Sequence, residues 1–582
     1  MDSQRQKTIA KNLIKSIQEK PSIYKHDKGS DKFSLPDILM EGPEYEEKRQ
    51  ISNVKFQFRP LAIVLCESTE HVQFTVWFAN WLNEEIRRRY PEADRIEIRV
   101  RSGGHDHEGE CSGTDVILID LSGINHKIID KAKGRAKVGP GVLFKDLIEE
   151  LDNNHVGIPH GTCNTVGVGG YMLGGGWGPW TRIHGMGCES LVGATIVLGD
   201  GTSLDIDVDT MQKPPEDYEK KKSLLWALRG GGGMSYGIVT ELVIKTFALP
   251  PHTWKITVKW DTTPALDVLE LWESWIAPDQ NPDLLGTNLK IVAKPLDDQP
   301  IEKSAHHCEF YGYFAGSKDE LAAQLKVWFG EQDELKADLE QWLSTGKSDR
   351  IITDDGLNPD GTRKSQAQQE EDAAAGFSAW DGPTNIQDVI DAYQRFKDSK
   401  SAEPVDFFIP LEIEHPAPRK ITSRIVKEDG LGDEGRRSLI RSLESDLLSE
   451  AGARAGMNCY VTLGAISGSY YKNYGIDEVG SAFPYKKRPY TIQYQAWWNV
   501  GEAGKHAGRE YHIERYINAA EDWIAVCRER DFPQTDGSFI SFKDSSVPTR
   551  NYFLENFEPL KEIKLKYSQD PTNIFSTRKT II

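Results

Sequence analysis

Residues 157–178 read GIPHGTCNTVGVGGYMLGGGWG, and this glycine-rich stretch decides how the chain is interpreted. Seven of its glycines fall between residues 167 and 178. Because glycine has no Cβ, its backbone can approach another group closely, so the stretch predicts a loop lying against a flat ligand. It follows a helix-like segment, whereas the Rossmann fingerprint follows a strand, so that fold is not indicated. Cys163 is, from composition alone, best explained as a small buried hydrophobic residue.

A second glycine loop lies at residues 99–110, which read RVRSGGHDHEGE. It follows a strand-like run, and the N–H groups of Ser102, Gly103 and Gly104 can form a nest that binds a pyrophosphate. His105 then lies beside that phosphate loop. The histidines could instead be metal ligands, but further ligands are not evident nearby, so we expect no metal site. A solvated loop is the third interpretation.

Composition limits the class of protein. The 582 residues are too many for one ordinary core, and a hydrophobic fraction of 38% with 27% charged residues is typical of folded proteins. A net charge of −19 disfavours binding to nucleic acid or to an anionic membrane surface. Seven scattered cysteines indicate neither a zinc cluster nor a disulfide framework. No signal peptide or membrane-spanning run is visible, so we expect an intracellular protein.

The pattern of elements changes along the chain. Short β-rich runs such as DVILIDL at 115–121 and GATIVL at 193–198 alternate with helical patterns, which indicates an α/β first half. From about residue 253, strands such as CEFYGYF are interleaved with helical stretches, so a second domain is expected there. Residues 345–372 lack apolar periodicity and are interpreted as a mobile surface insertion.

Separated motifs together carry a family resemblance. They are RPLAIV, RSGGHDHEG, GTCNTVGVGGYMLGGGWG, WALRGGGGMSYGIVT and NYFLENFEPLKEIKLKYSQDPTNIF, at residues 59–64, 101–109, 161–178, 226–240 and 551–575. With these motifs the chain resembles flavoproteins of the vanillyl-alcohol-oxidase type, specifically the berberine-bridge-enzyme-like branch, in which FAD is held by two covalent bonds.

The resemblance implies an α+β fold. Its FAD-binding domain, of the vanillyl-alcohol-oxidase or PCMH type, is made of two parts, and the inserted substrate domain is built on an antiparallel sheet covered by helices. We place the main part of the FAD-binding domain at residues 50–250, the substrate domain at 251–530 and the C-terminal return at 531–582.

The resemblance also implies the cofactor contacts. His105 matches the histidine bonded to the dimethylbenzene methyl of the flavin, and Cys163 matches the cysteine bonded to the adjacent ring carbon. Residues 552–567 predict a helix with Asn556 on its buried stripe, where its amide needs a partner. Further cofactor contacts are expected at Arg101, Ser102, Gly103, Gly104, Asp106, Gly167, Val168, Gly169, Gly170, Gly174, Gly175, Gly237, Val239, Tyr552 and Asn556.

Val166 falls where family members that react with oxygen carry a small branched residue beside the flavin. This resemblance indicates an oxidase, although a valine that simply packs in a glycine loop is the alternative.

The catalytic base is where the match fails. Many relatives have a tyrosine shortly before the last helix, but the stretch here reads GSFISFKD, so Phe539 is interpreted as its replacement. A phenyl ring cannot accept a proton. Ser541 is interpreted as replacing the asparagine of that motif.

The strand TIQYQAWWN at 491–499 matches the substrate-side strand of the family. Its alternation puts Gln493, Gln495 and Trp497 on one face, and Tyr494 and Trp498 on the other. Gln495 lies near the position of a catalytic glutamate in some relatives, but an amide is no base. Tyr494 is therefore a candidate base if its face points inward, and packing within the sheet is the alternative.

These expectations define a leading function and two competitors. The leading one is an FAD-dependent oxidase that takes hydride from an alcohol, a carbohydrate or a secondary metabolite, and reduces O2 to H2O2. One alternative is a dehydrogenase with a quinone-like acceptor. The other is a binding or non-redox cyclising protein that has lost its base. Expected partners are a small-molecule substrate and O2, with no nucleic acid, no membrane and a monomeric state.

Overall fold

The structure is a computed structural model of the chain. It describes residues 3–19, 34–211, 217–278, 280–356, 418–448, 457–473, 478–498 and 513–582. Within these ranges no helix is long and apolar enough to cross a bilayer.

A mixed four-stranded sheet lies first along the chain, with strand order β1-β2-β4-β3. Strands β2, β3 and β4 are parallel, and β1 is antiparallel to β2. All four residues of β4 are buried, as expected for a strand covered on both faces. The loop at 102–110 leaves the carboxyl end of β3. The strands are β1 (Asp37–Leu39), β2 (Ala62–Leu65), β3 (Ile98–Arg101) and β4 (Ile117–Asp120).

A second, antiparallel sheet has the order β5-β6-β10-β8-β9, and β7 pairs separately with β11. The glycine loop at 230–237 leads directly into the central strand β10, so its backbone is fixed by the sheet. The strands are β5 (Lys127–Asp130), β6 (Arg135–Val138), β7 (Val156–Gly157), β8 (Leu191–Val197), β9 (Ser203–Asp207), β10 (Ile238–Lys245) and β11 (Phe247–Ala248).

Seven helices of the described residues accompany these sheets. The longest of them begins after Ser68, whose side chain accepts a hydrogen bond from the backbone N–H of His71 and so caps the helix. They are α1 (Ser3–Glu19), α2 (Pro43–Lys48), α3 (Thr69–Arg89), α4 (Phe144–Asn153), α5 (Val168–Leu173), α6 (Thr181–His184) and α7 (Tyr218–Leu228).

The third sheet is antiparallel throughout, with eight strands in the order β15-β12-β14-β13-β17-β18-β16-β19. The antiparallel sheet implied by the family resemblance is therefore confirmed. Its strands are β12 (Thr253–Trp260), β13 (Leu284–Val292), β14 (Cys308–Ala315), β15 (Ile351–Asp354), β16 (Arg419–Val426), β17 (Met457–Ala465), β18 (Tyr490–Trp498) and β19 (Thr535–Asp536).

Helices cover one face of this sheet, where alternate strand residues form a large apolar core. The opposite face carries mostly polar side chains. The helices that follow α7 up to residue 529 are α8 (Ala265–Ile276), α9 (Lys318–Phe329), α10 (Lys336–Thr345), α11 (Gly432–Ser442), α12 (Ser469–Lys472) and α13 (Ile513–Glu529).

Two local expectations are corrected. The predicted insertion at 345–372 contains strand β15, which pairs with β12, while residues 357–372 lie outside the described residues. The predicted helix at 552–567 begins only at Phe557, as α14 (Phe557–Tyr567). Two short 3-10 turns precede it, and Leu554, the first residue of the second turn, has φ of 46°, which an α-helix does not allow.

The segment after α14 is held by a buried lysine. The ammonium group of Lys564 donates hydrogen bonds to the carbonyls of Phe575 and Ile581, at 2.7 and 2.6 Å. Residues 575 and 581 are thereby fixed against α14. The domain bounds given above stay a prediction, because sheet membership alone does not delimit domains.

Candidate active site

A cavity of about 550 Å³ lies between the glycine loops and the polar face of the eight-stranded sheet. Its walls come from distant parts of the chain, from Ser52 to Thr580. We name the glycine-loop side the loop wall and the polar sheet face the sheet wall.

The loop wall is made of segments at 102–107, 161–174 and 232–239. Gly103 and Gly167 pack against each other so closely that a Cβ on Gly103 would lie 2.4 Å from the backbone N of Gly167. Only glycine fits there, because real Cβ atoms do not approach a backbone nitrogen to that distance. The two loops that carry His105 and Cys163 are therefore joined through glycine backbone.

The loop wall also leaves room for a flat group. A Cβ added at Gly170 would meet nothing within 4 Å, and one at Gly233 would only reach Leu173 at 4.0 Å. Both glycines line the cavity. The residues present thus fit a long, flat cofactor that lies against the backbone, as the resemblance to FAD-binding proteins implies.

His105 lines the cavity with a neutral imidazole. Burial, reinforced by the positive charge of Arg419, lowers the pKa of His105 to about 3. Its Nε2 lies 3.0 Å from Oγ1 of Thr165, which fixes the ring. A neutral ring nitrogen keeps the lone pair that a bond to a cofactor requires. Cys163 lines the same cavity and is partly buried.

The HDHE loop is organised by an ion pair. The ammonium of Lys543 lies 2.7 Å from Oδ2 of Asp106, whose Oδ1 accepts hydrogen bonds from the backbone N–H groups of Glu108 and Glu110 at 3.0 Å. Burial alone would raise the pKa of Asp106, but Lys543 outweighs it and the pKa lies below its usual value. Asp106 therefore stays a carboxylate and shapes the loop.

Arg419 joins the sheet to the loops. Its Nε donates to Nδ1 of His107 at 3.0 Å, and its NH1 donates to the carbonyl of Ser52 at 3.0 Å. The guanidinium also lies 4.8 Å from the ring centre of Trp497. Burial lowers the pKa of Arg419 to about 10, so it remains a cation at neutral pH.

The sheet wall is rich in hydrogen-bonding groups. Oδ1 of Asn288 is buried and, within the described ranges, accepts no hydrogen bond. Such an orphaned acceptor costs free energy unless a ligand donates to it. The side chains of this wall belong to Lys255, Asn288, Lys290, Tyr311, Tyr313, Arg419, Tyr460, Thr462, Thr491, Gln493, Gln495 and Trp497.

Gln495 is held at the centre of a network. Its Oε1 accepts from Oη of Tyr460 at 3.1 Å and from Nε1 of Trp497 at 3.0 Å, and its Nε2 donates to Oγ1 of Thr462 at 3.3 Å. An amide held in this way positions its neighbours and takes no proton. In the part of the chain that is described, no group of three or more His, Cys, Asp or Glu side chains is arranged to hold a metal ion.

Comparisons with known proteins agree with this geometry. The family model for the FAD binding domain matches residues 60–207, and the one for berberine and berberine-like proteins matches residues 538–582. The chain thus carries an FAD binding domain and, at its C-terminal end, a berberine-like domain. It is therefore an FAD-dependent oxidoreductase of the berberine-bridge-enzyme-like type, with the mixed α/β fold of that family.

Individual berberine-bridge-enzyme-like relatives match over most of their length. Berberine bridge enzyme-like 1 of Arabidopsis thaliana is 24% identical, covering 90% of this chain and 84% of the relative. A solved berberine-bridge-enzyme-like protein of Physcomitrella patens is 20% identical, with a TM-score of 0.65 over 94% of this chain and 97% of the other. A glucooligosaccharide oxidase of Acremonium strictum is 19% identical, with a TM-score of 0.65 over 98% of each chain.

The cavity of this berberine-bridge-enzyme-like protein brings together most of the sequence-predicted site residues. Those that line it are His105, Cys163, Ser102, Gly103, Gly104, Asp106, Val166, Gly167, Gly169, Gly170, Gly174, Gly237, Val239 and Gln495. Their roles toward FAD stay a prediction, since lining a cavity does not by itself assign a contact.

Five predicted cofactor residues do not line the cavity, and their contacts with FAD stay a prediction. Arg101 forms a buried ion pair with Asp120, and Val168 is fully buried in the apolar core. A Cβ on Gly175 would lie 2.8 Å from the ring of Phe539, so this glycine packs against an aromatic ring. Their role is to support the loop wall from behind.

Tyr552 and Asn556 are the remaining two. Oη of Tyr552 donates to the carbonyl of Asp544 at 3.0 Å, and Nδ2 of Asn556 donates to the carbonyl of Ala482 at 3.0 Å. The amide of Asn556, which is only partly buried, therefore finds its partner in backbone. Both residues fix the C-terminal segment that closes the cavity.

The assignment of Tyr494 as a candidate base is also corrected. Its side chain is fully buried on the helix-covered face, where Oη lies 2.8 Å from Oγ of Ser442 and the ring packs on Trp523. Burial raises its pKa. Tyr494 thus lies behind the sheet wall and does not reach the cavity.

Of the two phenylalanines in GSFISFKD, only the second lines the cavity. Phe542 lines the cavity, whereas Phe539 is buried in an apolar cluster with Phe483 and Tyr485. The 3-10 turn Ile540–Phe542 produces this difference by turning the chain between the two rings. The aromatic ring of this segment that faces the cavity is the phenyl ring of Phe542, which cannot act as a base.

Sequence reasoning missed several residues of the sheet wall, notably Asn288, Lys290, Tyr311 and Tyr460. The alternation in CEFYGYF and in residues 457–465 was the available signal. It indicates which residues share a face, but only the strand order shows that these faces meet at one cavity.

Proposed function

We propose that this protein is an oxidase that takes hydride from an alcohol group of a polyhydroxylated substrate and passes the electrons to O2, forming H2O2. The observation that carries the proposal is the cavity between the loop wall and the polar sheet wall. A bound FAD would accept the hydride, and the chain's own residues bind and orient the substrate opposite it.

We further propose that FAD is attached through His105 and Cys163. Both line the cavity, and the loops that carry them meet at Gly103 and Gly167. The glucooligosaccharide oxidase of Acremonium strictum carries 6-S-cysteinyl, 8α-N1-histidyl FAD. The neutral His105, fixed through Nε2, supports a bond from its other ring nitrogen. Such a tether would keep the cofactor in an open site.

The sheet wall favours a carbohydrate over an apolar alcohol. It offers amides, hydroxyls and ammonium groups, and the orphaned Oδ1 of Asn288 needs a donor such as a sugar hydroxyl. Trp497 adds an aromatic face of the kind on which sugar rings pack.

Val166, at the loop wall, supports oxygen as the acceptor, since a small side chain leaves the flavin edge accessible. We expect the protein to act on a small molecule as a monomer, without nucleic acid or membrane.

The test is anaerobic absorbance of the purified flavoprotein mixed with cellotriose, maltotriose, chitotriose, aromatic alcohols and amines. Bleaching by a saccharide, followed by recolouring in air, is expected. Bleaching without recolouring in air would contradict the oxidase and favour a dehydrogenase with a quinone-like acceptor.

One observation favours a second candidate, a flavin-containing protein that binds its ligand without oxidising it. Phe542 occupies the cavity position where a tyrosine could have acted as base. This candidate predicts normal photoreduction of the flavin and no bleaching by any compound of the panel.

A further inference from the structure

A polar stripe runs along strand β14 from the protein surface to the cavity. His307, Glu309 and Tyr311 occupy alternate positions, so their side chains share one face of the sheet. Tyr311 lines the cavity, whereas the His307 side chain is 38% exposed at the other end. Glu309 between them is 10% exposed.

The stripe is a continuous chain of hydrogen-bonding contacts. Oη of Tyr311 donates to Oε2 of Glu309 at 2.8 Å. Oε1 of Glu309 lies 3.4 Å from Nε2 of His307. Nδ1 of His307 lies 2.6 Å from Oδ1 of Asp261, which is 48% exposed. Every link from the cavity to solvent is therefore a group that can carry a proton.

We propose that Tyr311, Glu309 and His307 form an exit path for the hydroxyl proton of the substrate, replacing the base that Phe542 cannot provide. The inference rests on the proposed alcohol oxidation. Tyr311 is the catalytic residue of the path, because it faces the substrate, and Glu309 and His307 act through it.

Oxidation of the alcohol removes one hydride and one proton from the substrate. The C–H bond breaks and its electron pair leaves with the hydride to the bound FAD. The O–H bond breaks and its electron pair forms the second bond of the carbonyl. The proton moves to Oη of Tyr311 while the Tyr311 proton passes to Glu309 and onward to Nε2 of a neutral His307. His307 then releases the proton to water.

The pKa values of Glu309 and His307 decide which of these two groups holds the proton. Burial would raise the pKa of Glu309, but His307 and Lys290 outweigh it and hold the pKa at about 2. The hydrogen bond to Glu309, helped by Asp261, raises the pKa of His307 above its ordinary value of 6.5. Glu309 therefore carries the proton only in passing, and His307 is its resting place.

Charged side chains contact the path in its middle, at Glu309, and at its surface end, at Asp261. Lys259 and Lys290 approach Glu309 at 4.0 and 3.4 Å. Arg350 contacts both Asp261 and Glu334 at 2.9 Å. Among the groups of the path, His307 is the one whose ordinary pKa lies closest to neutral pH.

Glu334 holds the surface end in place. Its carboxylate accepts hydrogen bonds from the backbone N–H groups of Asp261, Thr262 and Thr263 at 2.7 to 3.2 Å. Asp261 is thereby kept beside His307.

The path predicts a specific pH dependence. His307 must start neutral, so flavin reduction should slow as the pH falls through its raised pKa. The measurement is stopped-flow bleaching by whichever of cellotriose, maltotriose or chitotriose reacts fastest, between pH 5 and 9. In His307→Gln the decline through this range should disappear, and Tyr311→Phe should slow bleaching on the order of 100-fold.

His126→Gln is the matched control. His126 is 37% exposed and lies 3.2 Å from Glu241, so it is a similar surface histidine paired with a carboxylate. It does not line the cavity, and its variant should keep the wild-type profile.

A second readout does not depend on turnover. Histidine NMR should show the pKa of His307 falling in Glu309→Gln and in Asp261→Asn, because each removes a carboxylate that stabilises the imidazolium. The midpoint of the Asp261→Asn rate profile should move to lower pH with it.

Three outcomes would overturn the inference. If saccharides bleach the flavin and His307→Gln keeps the wild-type pH profile, the path fails while the proposed oxidation stands. If the pKa of His307 is unchanged in Glu309→Gln, the path is broken at its middle link. If no compound bleaches the flavin at any pH, the proposed function fails and the path with it.

Discussion

The two walls of the cavity are formed by different kinds of structure. The loop wall is built from glycines whose spacing is dictated by contact distances, such as the 2.4 Å that separates a Cβ on Gly103 from Gly167. The sheet wall is built from regular strands, where any side chain can stand at an alternate position. The loop wall therefore constrains residue identity, whereas the sheet wall constrains only which residues share a face.

This difference separates cofactor binding from substrate choice. A family can keep its loop wall and exchange the side chains of its sheet wall without disturbing the fold. Variants of the two walls should accordingly fail in different ways.

The largest effect is expected from removing both proposed tethers. In His105→Ala with Cys163→Ala, no covalent bond can form, so after acid precipitation the yellow colour should move from the pellet to the supernatant. Each single variant should keep the colour in the pellet through the remaining bond. A colourless wild-type pellet would contradict the tether.

Two glycine variants test whether close backbone contact restricts a position of the loop wall to glycine. Gly103→Ala drives a methyl group against the Gly167 backbone and should lower the free energy of unfolding by about 1–3 kcal/mol. Gly170→Ala meets nothing within 4 Å and serves as its control, with stability unchanged or slightly raised. Urea unfolding measures both, and equal losses would refute the contact argument.

A phenylalanine pair tests the turn at 540–542. Phe539→Tyr buries a hydroxyl in an apolar cluster and should cost about 1–3 kcal/mol of unfolding free energy. Phe542→Tyr places the hydroxyl at the cavity and should be tolerated. Thermal unfolding of the two variants distinguishes them, and the reverse order would show that the turn is misassigned.

The smallest effect is expected behind the sheet wall. Tyr494→Phe removes the hydrogen bond to Ser442 and should cost about 0.5–1.5 kcal/mol, with no change in the rate of flavin bleaching. If this variant bleached more slowly and its free energy of unfolding were unchanged, Tyr494 would again be a candidate base.

The sequence predicted the loop wall well, because its motifs follow from local backbone needs. Glycines at 103 and 167 are required where the two loops meet closely, and His105 and Cys163 stand within those same motifs. The antiparallel sheet was also foreseen, through the family resemblance and the β-rich character after residue 253.

The sheet wall was predicted only in part. The alternation in residues 491–498 correctly put Gln493 and Gln495 opposite Tyr494, but it could not tell which face meets the cavity. That choice is made by the helices that cover the other face. Likewise, the distance between Phe539 and Phe542 depends on a turn that the hydrophobic pattern does not reveal.

The residues that line the cavity extend along the chain from Ser52 to Thr580, and this has a consequence for biosynthesis. At about 5–20 residues per second, a ribosome needs roughly half a minute to two minutes to pass from one of these residues to the other. During that interval the loop wall lacks its closing segment, which the Lys564 ammonium group later fixes. A cofactor bound in this cavity would thus be fully enclosed only after synthesis of the chain is nearly complete.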